Sequence, residues 1–345
     1  MKFAIMTHLP WPEGKEPRTV LEETIEEVQH GEALGFHSAW FAEHHFTRYG
    51  LGSSSMLIAA GIAAKTSTIR LGMAVLVPPL HNPIRLAEDT ATLDLMSNGR
   101  LDVGFGRGAA RYEFVPFGID AGETQDRFQE SVNMIEGMWT TPDYSRKGRF
   151  YSVEKANLVP QVVQRPHPPV YIAATRTQET FDYAVAKGWP TMVGLTMETG
   201  PGVELCRRYA AMSKEAGFNV PSTAIPFFRH VYVAPTEKQV VEDTQASLQW
   251  MIDMLQWRGK LTEGSEVGLN LDHWRKTRTE APQTYEHVRE KRGVIGTPEQ
   301  CVAQLKELQA QGIGYFGCNF AFGGMDHGKI MASMKLFAEE VMKSF

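Results

Sequence analysis

The run Glu43-His44-His45-Phe46 sets a carboxylate beside two imidazoles. Imidazole titrates near neutrality, and a neighbouring carboxylate can fix which ring nitrogen holds the proton. The run suits proton transfer, and it equally suits a capped loop with surface histidines. Zinc is a further use for such a pair, but no His or carboxylate at helical i, i+4 spacing supports it, so no metal site is expected. Gly104-Phe105-Gly106-Arg107-Gly108 places a guanidinium among glycines that let backbone approach a flat or phosphorylated ligand. Plain turn glycines are the alternative. The run superficially matches a GxGxxG fingerprint, but it does not open a first strand–helix unit, which excludes a dinucleotide-binding reading. Ala174-Thr175-Arg176-Thr177-Gln178 joins hydroxyls and a guanidinium at a helix start. That is a seat for phosphate, or an ordinary N-cap with an exposed arginine. Arg127 near another helix start is a further anion candidate.

These residues need elements to hold them. Strand-length apolar runs occur at 3–6, 38–41, 70–77, 101–105, 170–173, 191–193, 227–233 and 314–320. Helical spacing follows nearly every one, as in Leu21, Ile25 and Val28, or Ile330, Met334, Phe337 and Val341. Thr236-Glu237-Lys238-Gln239 and Thr297-Pro298-Glu299-Gln300 read as capping boxes. Sustained β-α alternation implies parallel strands, and eight units favour a (β/α)₈ TIM barrel with inserted loops over a doubly wound open sheet. One barrel domain is expected over 1–345. In a barrel, catalytic groups gather just after the strands, where the Glu43, Gly106 and Thr175 runs all fall.

Two stretches interrupt the alternation. Residues 140–168 carry a proline cluster around Arg149-Phe150-Tyr151 and read as an inserted loop or short hairpin. Residues 259–293 hold 13 charged residues, seven basic and six acidic. A stretch of that length and polarity reads as a mobile active-site lid or as a solvated insertion.

The chain has 345 residues, 43% hydrophobic and 22% charged, which suits a soluble globular protein without disulfides or metals. Its formal charge is -5, from 35 Lys+Arg against 40 Asp+Glu, which argues against broad binding to nucleic acid or an anionic membrane. Cys206, Cys301 and Cys318 are too widely spaced for a disulfide framework or a CxxC site. No apolar run of membrane-spanning length and no secretory h-region stands out, so a cytoplasmic protein is expected.

Taken together, the motifs resemble the bacterial luciferase-like family of flavin-dependent monooxygenases. The similarity covers nearly the whole chain. It lies in Glu43-His44-His45-Phe46-Thr47, in the stretch from His81 to Asp89, in Leu93 to Leu101, in Gly104 to Gly108, in Gly296 to Cys301 and in Ala332 to Phe337. The resemblance implies a (β/α)₈ barrel that binds reduced FMN. O₂ then adds to the flavin to give a C4a-hydroperoxide, which oxygenates a small organic substrate. By the same resemblance His44 is the proton-transfer residue, with His45 and Glu43 beside it. Ala74-Val75 would hold a non-proline cis peptide against the isoalloxazine. Arg107, Arg127 and the Thr175-Arg176 turn would hold the phosphate, with Gly106, Ala174 and Thr177 also around the cofactor. Residues 259–293 correspond to the family's mobile lid.

Two positions depart from the light-producing members: Gly106 replaces a reactive cysteine, and Thr175-Arg176 replaces a Glu-Ser pair. No nicotinamide fingerprint is present, so a separate NAD(P)H-dependent flavin reductase would supply FMNH₂. A homo- or heterodimer is expected. Two other readings share the fold: an F420-dependent oxidoreductase that moves hydride, and a non-catalytic flavin-binding subunit. The His44-His45 pair favours an enzyme.

Overall fold

The computed structural model describes residues 1–174, 177–261 and 284–345. The first half runs β1 (Lys2–Thr7), α1 (Pro17–Ala33), β2 (Ser38–Phe41), α2 (Ser55–Ala63), β3 (Arg70–Leu76), α3 (Pro83–Met96) and β4 (Leu101–Phe105). A short helix α4 (Arg111–Phe114) and α5 (Thr124–Thr140) follow, then a hairpin of β5 (Tyr144–Lys147) and β6 (Ser152–Ala156). The second half holds β7 (Val170–Ile172), α6 (Gln178–Lys187), α7 (Thr199–Glu215), β8 (Pro226–Val233), α8 (Glu237–Lys260) and α9 (Tyr285–Arg292). It ends with β9 (Gly293–Gly296), α10 (Pro298–Ala310), β10 (Tyr315–Asn319) and α11 (His327–Leu336).

All pairings of the large sheet are parallel, in the order β7-β4-β3-β2-β1-β10-β8-β9. Residues 191–193 carry the pairing from β7 to β8. Thr191 bridges Ile172, and Val193 bridges Phe227. Seven of these strands and residues 191–193 thus surround one lumen, with β9 a ninth segment paired beside β8, which is the barrel expected from the alternation and not an open doubly wound sheet.

Period-2 alternation sorts each strand's residues between lumen and helices. Ala4, Met6, Trp40, Met192, Phe228 and Tyr315 pack together inside, while Phe3, Ile5, Phe41 and Phe227 join the larger core under the helices. Glycines make room for the lumen aromatics. A Cβ on Gly72 would lie 2.2 Å from the Trp40 ring, and one on Gly317 would lie 2.1 Å from the Phe228 ring. The start of the barrel is closed by a bidentate pair, Arg70 Nε and Nη2 to Asp102 at 2.9 and 2.7 Å. Polar satisfaction of this kind is what a buried charge requires.

Helix starts follow their sequence signals. Asn82 Oδ1 accepts from Ile84 N–H at 2.9 Å ahead of Pro83. Thr236 Oγ1 accepts from Gln239 N–H at 3.2 Å, and Thr297 N–H donates to Gln300 Oε1 at 2.8 Å. The interruption at 140–168 contains the β5–β6 hairpin, antiparallel and outside the barrel. Of the expected lid, residues 262–283 lie outside the described residues. Its flanks are regular structure: α8 runs to Lys260, and α9 leads directly into β9, which pairs with the far half of β8 from His230 to Val233. The sequence reading had no strand there. Gly293-Val294-Ile295-Gly296 is only four residues long, and it follows a helix whose charges mask it.

Candidate active site

Continuing the lumen parity past the strand ends brings four strands' residues to one mouth: His8 after β1, His44 after β2, His230 in β8 and Asn319 closing β10. The two adjacent histidines after β2 face different carboxylates. His44 Nδ1 lies 3.3 Å from Glu113 Oε1, whereas His45 Nε2 lies 3.1 Å from Glu43 Oε1. Phe46 follows with φ 61°, the left-handed region that a Cβ disfavours, and it ends this run in a turn.

Glu43 is a buried hub. His81 Nε2 also reaches its Oε1 at 2.9 Å, and the Val77 N–H donates to its Oε2 at 3.1 Å. Burial acts to raise the Glu43 pKa, but the bonds to His45 and His81 outweigh it and hold the carboxyl at about 2. Glu43 is therefore a fixed anion that ties the His44-His45 turn to the end of β3. His81, which the sequence alone reads as loop structure, contributes an imidazole to this hub.

Glu113 on α4 and Arg258 near the end of α8 enclose His44. Arg258 Nη2 is 3.2 Å from His44 Nδ1 and 3.7 Å from Glu113 Oε1. Its Nε donates to Tyr112 Oη at 2.8 Å, and its guanidinium stacks over the Tyr49 ring at 3.9 Å. Tyr49 Oη meets His8 Nε2 at 2.9 Å, and the His8 and His44 rings stack at 5.7 Å. Burial, then Arg258, lowers the His44 pKa, against the opposing pull of Glu113. Burial pushes His8 well below the ordinary value and His230 to about 3, so both are neutral at physiological pH.

A cleft at this mouth is lined by His8, Tyr49, His230, Trp250, Asn319 and Phe322, among others. Among the described residues that line it, none is an acid, a lysine or an arginine. Asn319 Oδ1 is buried without a hydrogen-bond partner among the described residues.

Beside the histidines, Ala74-Val75 is a non-proline cis peptide, at the position expected. Ala74, Val75 and Ala173 are half-buried and form an apolar shelf against the lumen cluster. Gly106 lies on that shelf: a Cβ there would come 2.5 Å from Val75 Cγ2 and 3.6 Å from Ala173 Cβ. Arg107 follows, half-buried, while Ala174 is buried below. Thr177 precedes α6, and Thr175 and Arg176 lie outside the described residues. Arg127 is already engaged: Nη2 pairs with Glu123 Oε2 at 2.9 Å, and the guanidinium stacks on Phe150 of the hairpin at 4.2 Å.

The sequence reading missed Arg258, Glu113, Tyr49 and His81, and left His8 at the end of the first strand. His8 had a signal, since it directly follows a barrel strand. Arg258 had none, because it lies in the last turn of a long helix and more than 200 positions from its partner.

The sequence profile of the family described as luciferase-like monooxygenase matches residues 1–314. The chain belongs to this family. As a luciferase-like monooxygenase it is a flavin-dependent enzyme, and known relatives extend over its full length. It is 29% identical to the oxygenase component of flavin-dependent trigonelline monooxygenase from Acinetobacter baylyi, over 100% of this chain and 96% of the relative. Among solved structures, the monooxygenase RslO1 from Streptomyces bottropensis superposes with a TM-score of 0.83 at 26% identity, covering 99% of both chains. The oxygenating constituent of 3,6-diketocamphane monooxygenase from Pseudomonas putida, in complex with FMN, superposes with a TM-score of 0.81 at 17% identity, covering 99% of this chain and 97% of that one. At that identity the likeness speaks for the luciferase-like fold alone.

Proposed function

We propose that this luciferase-like monooxygenase is the oxygenase component of a two-component system that uses reduced FMN and O₂ to oxygenate a small organic substrate. The observation that carries the reading is the His44 imidazole, held by buried Glu113 and Arg258 at the mouth of the barrel. The names of the A. baylyi relative and of the diketocamphane enzyme with its FMN support it. The residues present suit a flavin. Ala74, Val75 and Ala173 offer a flat apolar surface, and the missing side chain at Gly106 keeps it clear. Arg107 makes no hydrogen bond or ion pair to any described residue and is assigned to the phosphate, with Thr175, Arg176 and Thr177 assigned by their place in the chain. Arg127 joins them only by giving up Glu123.

Reduced FMN, when bound, supplies the electrons that activate O₂, one oxygen atom going to the substrate and the other to water. His44 holds or delivers a proton at its free ring nitrogen. Glu43, through His45, His81 and the Val77 N–H, keeps the turn and the shelf in register. The cleft residues Trp250 and Phe322 exclude water and favour an uncharged substrate region. An NAD(P)H-dependent flavin reductase is the source of reduced FMN. A homo- or heterodimer is part of the same reading.

The test is anaerobic titration with reduced FMN and with reduced F420, followed by exposure to ¹⁸O₂ with a panel of aldehydes, ketones and N-heteroaromatics. One ¹⁸O atom in a product formed only with reduced FMN supports the proposal. Tight binding of F420 with hydride transfer and no O₂ uptake would replace it with the F420-dependent reading. Flavin binding with no turnover across the panel would favour the non-catalytic subunit.

A further inference from the structure

His44 Nδ1 has two neighbours with opposite demands. Glu113 Oε1 at 3.3 Å can only accept, so it asks for a proton on Nδ1. Arg258 Nη2 at 3.2 Å can only donate, so it asks for a lone pair there. Both cannot be met at once, and the surrounding bonds decide between them.

Glu113 Oε1 does not depend on His44. The His45 N–H donates to it at 3.1 Å and the Tyr112 hydroxyl at 3.4 Å. Arg258 Nη2 does depend on His44, because Glu113 Oε1 lies 3.7 Å away, beyond hydrogen-bond reach. A proton on Nδ1 would face the guanidinium donor at 3.2 Å and leave Nη2 without that acceptor. A lone pair on Nδ1 accepts from Arg258 Nη2 and leaves Glu113 Oε1 its donors from His45 and Tyr112. Of the other groups facing the ring, His8 stacks on it and Tyr49 meets it edge-on at 4.7 Å, while Glu43, hydrogen-bonded to His45 and His81, adds only a through-space pull toward the cation, in the same direction as Glu113.

We propose that Arg258 is a positioning residue that holds His44 as the neutral tautomer protonated on Nε2, against the pull of Glu113. His44 then starts as a hydrogen-bond donor through Nε2. It can act as a base only after that proton has left, or at Nδ1, which Arg258 blocks. The tautomer follows from the geometry of the free protein, and its catalytic use rests on the monooxygenase reading above. Without Arg258, the buried Glu113 carboxylate is the one charged group left at hydrogen-bond distance from Nδ1 among the described residues, so the proton moves to Nδ1 or the ring becomes cationic. Burial disfavours the cation in the parent protein, and Arg258 adds to that.

The experiment is ¹⁵N NMR of the flavin-free protein with labelled histidine, His44 being assigned by its loss in His44→Gln. The parent should show Nε2 as the protonated, pyrrole-type nitrogen and Nδ1 as the pyridine-type one. Arg258→Met should move the proton to Nδ1 and shift the His44 protonation equilibrium roughly tenfold or more toward the cation, which is one pH unit or more. Glu113→Gln should leave the parent pattern in place, and Arg258→Lys should restore it at least in part. A parent protein with Nδ1 protonated, or an unchanged pattern in a folded Arg258→Met, overturns the proposal. If Arg258→Met fails to fold, Arg258→Gln, which keeps a polar tip without the charge, is measured in its place, and an unchanged His44 titration there overturns the proposal. Product formation is measured separately, so failure of the monooxygenase reading leaves the tautomer result standing.

Discussion

Glu43 and His81 meet at 2.9 Å, joining the loop after β2 to the loop after β3 through a carboxylate that is almost wholly buried. His45 completes the hub from the other side at 3.1 Å. Glu43→Gln keeps the shape but removes the charge that both imidazoles use. It should lower stability by ~1–3 kcal/mol, read as a lower Tm or denaturant midpoint. The sign with pH follows from the depressed carboxyl. Its folded pKa of about 2 lies below the ordinary 4.5, so its contribution is complete above pH 4.5 and is lost as pH falls toward 2. Parent and variant should therefore converge in stability between pH 4.5 and 2. A gap that persists unchanged at pH 2 would show that packing, not charge, is what Glu43 supplies.

His44→Ala should retain the fold and most of the FMN affinity while losing product formation by ~10²–10⁴-fold. The residue sits at the mouth and is not part of either large apolar cluster. Because burial and Arg258 lower its pKa, the neutral ring persists below pH 6.5. The acid limb of parental turnover should lie below that value. Parental rates in the variant would make His44 structural.

Arg107→Ala should weaken reduced FMN roughly 10–100-fold and leave riboflavin binding nearly unchanged, since only FMN carries the phosphate. Fluorescence titration of both flavins gives the comparison. Equal losses for the two would place Arg107 elsewhere than at the phosphate.

Gly106→Cys recreates the residue type carried by the light-producing members of the family, but here the new Cβ meets Val75 Cγ2 at 2.5 Å. Overpacking of that kind costs ~1–3 kcal/mol, and the side chain would crowd the shelf. Flavin affinity and Tm should both fall. Adding Val75→Ala removes the clashing methyl groups and should recover much of the loss. A single variant as stable and as tight-binding as the parent would show that Val75 moves aside freely.

Much of the fold was legible in the residues alone, for a physical reason. Parallel barrel strands are short, apolar and regularly spaced by helices, and both periods are local properties of the chain. Eight such runs predicted the barrel, and the cap residues Thr236 and Thr297 predicted two helix starts. The same alternation placed His44 just past a strand end, where a barrel gathers its chemistry. β9 escaped because two apolar residues between glycines carry no period long enough to detect. What only the folded chain decides is partnership. Nothing near His44 in sequence says that its ring faces Glu113, while that of His45 faces Glu43. Nothing in the helical spacing of α8 says that Arg258 ends above β2, since a helix of 24 residues extends about 36 Å and can cross the barrel mouth. Protonation is set by those distant neighbours and by burial, so the sequence named the imidazole and the tertiary structure determined which of its nitrogens carries the proton.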